Sequence, residues 1–230
     1  MTTTGDRDDA AGAAVAIVRV CRRLYERGLV AGPDGNVSVR LADGSILITP
    51  RGRSKVDVAP DDLVVVNLDG AVLDGRGVPS SELRMHLRIY QRRADVRAVV
   101  HAHPPTATGF AVAGESFVAP VLPEVILQMG EVPLVRYATP GTEALADSLE
   151  PYLTGHDAFL MANHGATTVG TTLELAHQRM ESLEHAARIV LAARTVGRVN
   201  QLSPTDVQAL RAMNASQTLH AQRGFREEEE

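Results

Sequence analysis

Residues 37–48 read Val37-Ser38-Val39-Arg40-Leu41-Ala42-Asp43-Gly44-Ser45-Ile46-Leu47-Ile48. Val37, Val39 and Leu41 alternate with Ser38 and Arg40, the period of a strand with two unlike faces. Asp43-Gly44 is a tight-turn pair and Ile46-Leu47-Ile48 runs back, so the stretch predicts a β-hairpin. A second pair of apolar runs, 63–67 and 71–73, flanks Asp69-Gly70 in the same manner. Hairpins mixed with helices argue for an α/β fold with a largely antiparallel sheet and helices on its faces. A strict strand–helix alternation would have argued for a parallel sheet.

Helices are expected on either side of these hairpins. Ile17, Cys21 and Leu24 repeat at helical spacing within 10–27, and Gly28 is a stop signal. After Pro79, Ser80 and Ser81 can cap a helix running to about residue 93. Shorter helices are expected near 106–113, 123–129 and 142–152, and strands at 96–103, 132–137 and 158–162. The longest helix is predicted over 172–196, where Leu173, Ala176, Met180, Leu183, Ala187 and Val190 form a stripe and Thr171 and Glu174 have capping-box spacing. Ser203-Pro204 opens a final helix. Residues 1–9 read as a disordered lead, 10–218 as a single domain and 219–230 as an acidic tail, without repeats or linkers.

Composition narrows the function classes. The 230 residues are 44% hydrophobic and 22% charged, which excludes a disordered, collagenous or disulfide-built chain. A net charge of −5 requires no basic face, so a nucleic-acid partner is not expected. Cys21 stands alone and suits a reducing cytoplasm. The start, MTTTGDRDDA, lacks the pattern of a secretion leader, and no run approaches the ~20 apolar residues of a membrane span. A cytoplasmic protein without a membrane partner is expected. Four Phe, four Tyr and no Trp leave few rings for stacking, so the eight histidines are the side chains to follow.

His101-Ala102-His103 is the strongest chemical signal. On a strand, residues i and i+2 point to one face, so both imidazoles can grip one ion. His164, in Ala162-Asn163-His164-Gly165, follows another predicted strand. Three histidines at strand ends leave coordination positions open, as a catalytic zinc site requires. Glu82 opens a helix just after Ser80-Ser81, where backbone N–H groups and two hydroxyls make an anion site. Gly35-Asn36 and Thr49-Pro50-Arg51-Gly52 are two further polar, glycine-containing loops. His177 and His185, eight apart on the long helix, read as helix-face residues.

These motifs, in this order and spacing from about residue 10 to 195, resemble the class II aldolase/adducin family, and within it the aldolases acting on L-fuculose 1-phosphate. The resemblance implies a three-layer α/β/α fold around a mostly antiparallel sheet. It implies that His101, His103 and His164 are zinc ligands, and that Glu82 is an acid/base carboxylate able to join them when no substrate is bound. Asn36, Gly52, Ser80 and Ser81 match phosphate-binding positions. The implied assembly is a homotetramer with active sites at subunit interfaces. Three imidazoles and a carboxylate suit zinc and also accept cobalt, manganese or iron.

The implied reaction is retro-aldol cleavage of a phosphorylated ketose to dihydroxyacetone phosphate and an aldehyde. Such cleavage leaves an enediolate, whose charge a divalent ion on neutral imidazoles can offset. Decarboxylation, dehydration and 4-epimerisation are the alternatives on the same site. The epimerase branch usually carries Asp where this chain has Glu82. Non-catalytic members tend to lose the histidines, which this chain keeps. Arg51 stands where the aldolases usually have Ser or Thr, and can either grip phosphate or carboxylate bidentately or point to solvent. Pro33 replaces a frequent Thr. The stretch 119–124 lacks the Tyr that the sugar aldolases contribute from a neighbouring subunit, and their C-terminal Tyr is absent too. Glu124 is the candidate replacement acid.

Overall fold

The computed structural model describes residues 4–116 and 120–213. Its two hairpins build one half of an eight-stranded sheet. The strands are β1 (Asn36–Arg40), β2 (Ile46–Ile48), β3 (Val64–Val66), β4 (Val72–Asp74), β5 (Ala98–Ala102), β6 (Leu134–Val135), β7 (Ala158–Met161) and β8 (Gly165–Gly170). They lie in the order β4-β3-β2-β1-β5-β8-β7-β6. Every neighbouring pair is antiparallel except β6 with β7.

Helices cover both faces. Helices α1 (Thr4–Glu26), α3 (Pro105–Val112), α4 (Pro123–Gln128) and α6 (Leu173–Val196) share one apolar cluster with Val37, Leu47, Val100 and Leu160 of the sheet. Helices α2 (Leu83–Arg92) and α5 (Glu143–Leu149) share the other with Ile46, Ile48, Val64, Val99 and Phe159. Alternate residues of one strand thus enter opposite cores, as the pleat requires. Each such side chain contributes roughly 1.5–3 kcal/mol by leaving water, so both helical layers hold the sheet. This is the expected three-layer α/β/α architecture. No helix of the described residues is long and apolar enough to cross a membrane.

The structure departs from the sequence reading in several places. Helix α1 starts at Thr4, ahead of the expected start near 10 and inside the segment expected to be a disordered lead. Asp9 belongs to this helix, and its carboxylate accepts the Ala42 backbone N–H at 3.0 Å, which ties the helix start to the first hairpin. Strand β8 was not expected. Glycines bound it at both ends, yet it runs between β5 and β7 and is wholly buried. The cap of α6 is Thr172, not Thr171: its hydroxyl accepts the Leu175 N–H at 3.2 Å, while Glu174 instead pairs with Arg23 across to α1. Strand β6 is only two residues long. Residues 204–213 are helical, opened by reciprocal bonds between Ser203 and Asp206. The acidic tail at 219–230 lies outside the described residues.

Candidate metal centre

The register of the sheet brings the chemistry together. Asn36 of β1 and Thr167 of β8 flank His101 of β5 as cross-strand partners. His103 follows one residue beyond β5, anchored by its N–H to the Leu29 carbonyl at 3.0 Å. His164 sits in the turn from β7 to β8, where Asn163 adopts a left-handed φ of 55°. Asn tolerates that conformation better than most residues, and it turns the next side chain back toward β5. Gly165 must lack a side chain: a Cβ there would lie 2.5 Å from His103 Cδ2 and 2.6 Å from the Ala102 carbonyl oxygen.

The three imidazoles converge, with ring centroids 4.8–5.2 Å apart and potential ligand atoms within 4.8 Å of one another. His101 Nδ1 lies 2.9 Å from the Ala166 carbonyl oxygen, which can only accept, so Nδ1 carries the proton. In the neutral ring, Nε2 then offers a lone pair. That Nε2 lies 3.1 Å from His103 Nε2 and 3.1 Å from Glu82 Oε2. His164 Nε2 lies 3.2 Å from Glu82 Oε1. Lone pairs brought this close need a positive charge between them, a proton or a metal ion. This donor set therefore fits a divalent ion. Burial, with the neighbouring His101 and His164, pushes the His103 pKa down to about 4, which keeps its ring neutral.

Glu82 is 6% exposed and stands at the N-terminal cap of α2. Burial pushes its pKa up, but positive charge at the His101 and His164 cluster outweighs this and holds it well below the usual carboxylate range. Asn36 Nδ2 donates to Glu82 Oε2 at 2.8 Å, and its Oδ1 meets His86 Nε2 at 2.5 Å. The amide expected at a phosphate position is therefore committed to Glu82 and His86.

A cavity of about 370 Å³ opens above this centre, and Asn36, Arg51, Gly52, Ser80, Ser81, Glu82, His103 and His164 all line it. His101 lies fully buried behind them. Ser80 accepts the Glu82 backbone N–H at 3.2 Å, while Ser81 and Arg51 are exposed. Lys55, absent from the sequence reading, sets the mouth of this cavity. It is 1% exposed, and its ammonium donates to the Pro33 and Arg53 carbonyls at 3.0 and 2.9 Å, clasping the two loops together. Asp34 stands 3.5 Å from His103 Nδ1. A larger cleft of about 810 Å³ lies on the other side of Arg51, but none of the three imidazoles lines it. Glu124 is exposed on the first turn of α4 and does not line the metal-site cavity of its own chain. Cys21 is buried and its thiol is pushed up to about 12, consistent with a packing role.

Comparison with known proteins follows the same lines. The family model for the class II aldolase and adducin N-terminal domain matches residues 15–191. The chain is 35% identical over 178 residues to 3-oxo-tetronate 4-phosphate decarboxylase of Escherichia coli (strain K12), covering 76% of this chain and 84% of that protein. It is 33% identical over 196 residues to 5-deoxy-D-ribulose 1-phosphate aldolase of Bacillus thuringiensis, covering 84% and 91%. A solved structure of L-fuculose 1-phosphate aldolase superposes with a TM-score of 0.82 at 29% identity, covering 91% and 96%. With its matched residues spanning every motif around the three imidazoles, the chain belongs to the class II aldolase/adducin family.

Proposed function

We propose that this chain is a divalent-metal-dependent carbon–carbon lyase that cleaves a small phosphorylated ketose to dihydroxyacetone phosphate and an aldehyde. The observation that supports this reading is the buried Glu82 carboxylate between His101 and His164 on the floor of the cavity. In this reading His101, His103 and His164 hold the ion, with Glu82 beside them. Zinc suits that set, and cobalt, manganese or iron are alternatives. The bound ion supplies Lewis-acid polarisation of a substrate carbonyl and offsets the negative charge that cleavage leaves.

The protein's own groups do the rest. In condensation Glu82, ionised at neutral pH, removes the proton beside the carbonyl; in cleavage it takes up the proton released by the hydroxyl that becomes the aldehyde and delivers it to the enediolate carbon. The Gly52 backbone, Ser81 and the start of α2 receive the phosphate, with the Arg51 guanidinium as its counter-charge. Glu124 serves as an acid toward a neighbouring subunit's cavity in a cytoplasmic homotetramer.

One observation favours a second reading. An exposed guanidinium at Arg51, on the wall of the same cavity, equally suits a substrate carboxylate, and one relative named above is a decarboxylase. Loss of carbon dioxide from a 3-oxo acid would leave the same type of charge, protonated by Glu82 with a proton drawn from water. Incubating the zinc-loaded protein with L-fuculose 1-phosphate, other ketose 1-phosphates and 3-oxo-tetronate 4-phosphates separates them. Dihydroxyacetone phosphate supports the aldolase reading and carbon dioxide alone moves the assignment to the decarboxylase. Neither product from any of these compounds sinks the lyase reading.

A further inference from the structure

A buried chain of side chains leads away from Glu82 beneath the cavity. Asn36 Nδ2 contacts Glu82 Oε2 at 2.8 Å, and Asn36 Oδ1 contacts His86 Nε2 at 2.5 Å. His86 Nδ1 lies 2.6 Å from Ser38 Oγ, which lies 2.8 Å from the Tyr90 hydroxyl. Asn36 is 4% exposed, Ser38 and His86 0%, and Tyr90 2%. Glu82, His86 and Tyr90 follow one another at i, i+4 and i+8, one face of α2 and its cap.

The chemistry of each group fixes the direction of every bond. An ionised carboxylate only accepts, so Asn36 must turn its NH₂ toward Glu82 and its carbonyl oxygen toward His86. That oxygen needs a donor, so His86 carries its proton on Nε2. The other ring nitrogen must then accept, and only the Ser38 hydroxyl is there to donate. Ser38 in turn accepts from Tyr90. Every polar atom along this path is matched, and burial keeps His86 from taking a second proton, its pKa pushed down to about 3. At the far end Tyr90 is held by packing: its ring faces the Arg40 guanidinium at 5.0 Å, and an Arg40 N–H donates to its carbonyl at 2.5 Å.

We propose that Tyr90, Ser38 and His86 are positioning residues that aim Glu82 through Asn36. The relay ties down Oε2 and leaves Oε1 without a hydrogen bond among the described residues, 3.2 Å from His164 Nε2 and free to carry the proton. A matched buried network of this kind has one low-energy arrangement, so the carboxylate is placed before substrate arrives. This inference rests on the reading of Glu82 as the acid/base group.

The first test needs no turnover. Nitrogen-15 spectra of the zinc-loaded protein should show His86 protonated on Nε2 and bare on Nδ1; the opposite tautomer overturns the relay. The second uses His86→Leu, His86→Gln, Ser38→Ala and Tyr90→Phe on whichever compound of the panel above is turned over. His86→Leu should lower kcat by ~10–100-fold with KM and zinc content unchanged, the usual effect of removing such a support. His86→Gln, which keeps a donor toward Asn36, should regain most of that loss, and the cobalt-loaded Leu variant should show altered d–d bands. A folded His86→Leu protein with kcat within twofold of the parent overturns the proposal. If that variant does not fold, Ser38→Ala and Tyr90→Phe decide: both should lower kcat, and unchanged kcat in both overturns it. Full turnover by Glu82→Gln would remove the acid/base reading while leaving the tautomer result standing.

Discussion

Two buried histidines belong to helices on opposite faces of the sheet, and their hydrogen bonding differs. His86 of α2 and His177 of α6 are both fully buried. Both ring nitrogens of His86 are bonded, to Asn36 and to Ser38. Among the described residues neither ring nitrogen of His177 has a hydrogen-bond partner; a Glu181 carboxylate oxygen stands 3.6 Å from Nδ1. Leaving a buried polar group unmatched costs about 1–3 kcal/mol. The α2 side is an apolar core threaded by one polar network, in which His86 is bonded through Asn36 to Glu82 beside the imidazole cluster. On the α6 side the core includes Ala176, Met180 and Leu183, and the buried polar group that is bonded there is Glu184, which accepts the Thr106 and Ala107 N–H groups, while His177 stays outside that network. A buried imidazole alone is thus no sign of a site, whereas a fully bonded one leads to it.

The largest effects break the site beside the His86 network. His101→Ala should reduce bound zinc to background and abolish turnover, whereas His177→Leu should keep one zinc per chain, both read by metal analysis of purified protein. Unchanged metal in His101→Ala would dissolve the distinction between the two sides. Next comes Glu82→Gln, which should keep zinc and lower the rate by ~10²–10⁴, the worth of a positioned acid/base group. Assay with the substrate identified by the panel checks it.

The same comparison explains what was legible in the sequence. The hairpin at 37–48 and helix α6 are written in local periodicity and turn pairs, so both were readable. His101 and His103 were readable because a two-residue spacing on a strand is itself geometric. Ser38 was not, since its partners His86 and Tyr90 stand 48 and 52 residues away, and its place in an alternating strand fits any polar face. The one available signal was the i, i+4, i+8 series from Glu82. Strand β8 was missed because Gly165 reads as a loop residue, whereas it is glycine because His103 and the Ala102 carbonyl occupy the space of a Cβ. Lys55 was missed because its second acceptor, the Pro33 carbonyl, lies 22 residues away and only the fold brings it near.

Acid should act on both sides in the same direction. Burial first lowers the pKa of each histidine: His86 is pushed down to about 3, and His177 is lowered despite the opposing charges of Glu181 and Glu174. Unfolded, each takes up a proton near the ordinary value of about 6.5. Below that pH the unfolded chain binds protons that the folded chain refuses. Stability is therefore full above it and declines as pH falls, by up to ~1.4 kcal/mol per pH unit for each group, a decline that for His86 continues toward about 3. Urea unfolding of the chelator-treated protein at pH 7 and pH 5 should show that loss, and His177→Leu should remove part of it. An identical pH dependence in that variant would mean that His177 titrates alike in both states.

The smallest effect is the one most specific to the comparison. At pH 7, His86→Leu strands the Asn36 carbonyl while Ser38 keeps Tyr90, and should destabilise by ~1–3 kcal/mol as a buried group loses its partner. His177→Leu strands nothing and replaces an unmatched imidazole by an apolar group of similar volume. Its change should lie within about 1 kcal/mol of zero, on the stabilising side. Urea midpoints at constant slope measure both. Destabilisation of His177→Leu by as much as His86→Leu would show that His177 is bonded in solution, and the two faces of the sheet would then be alike.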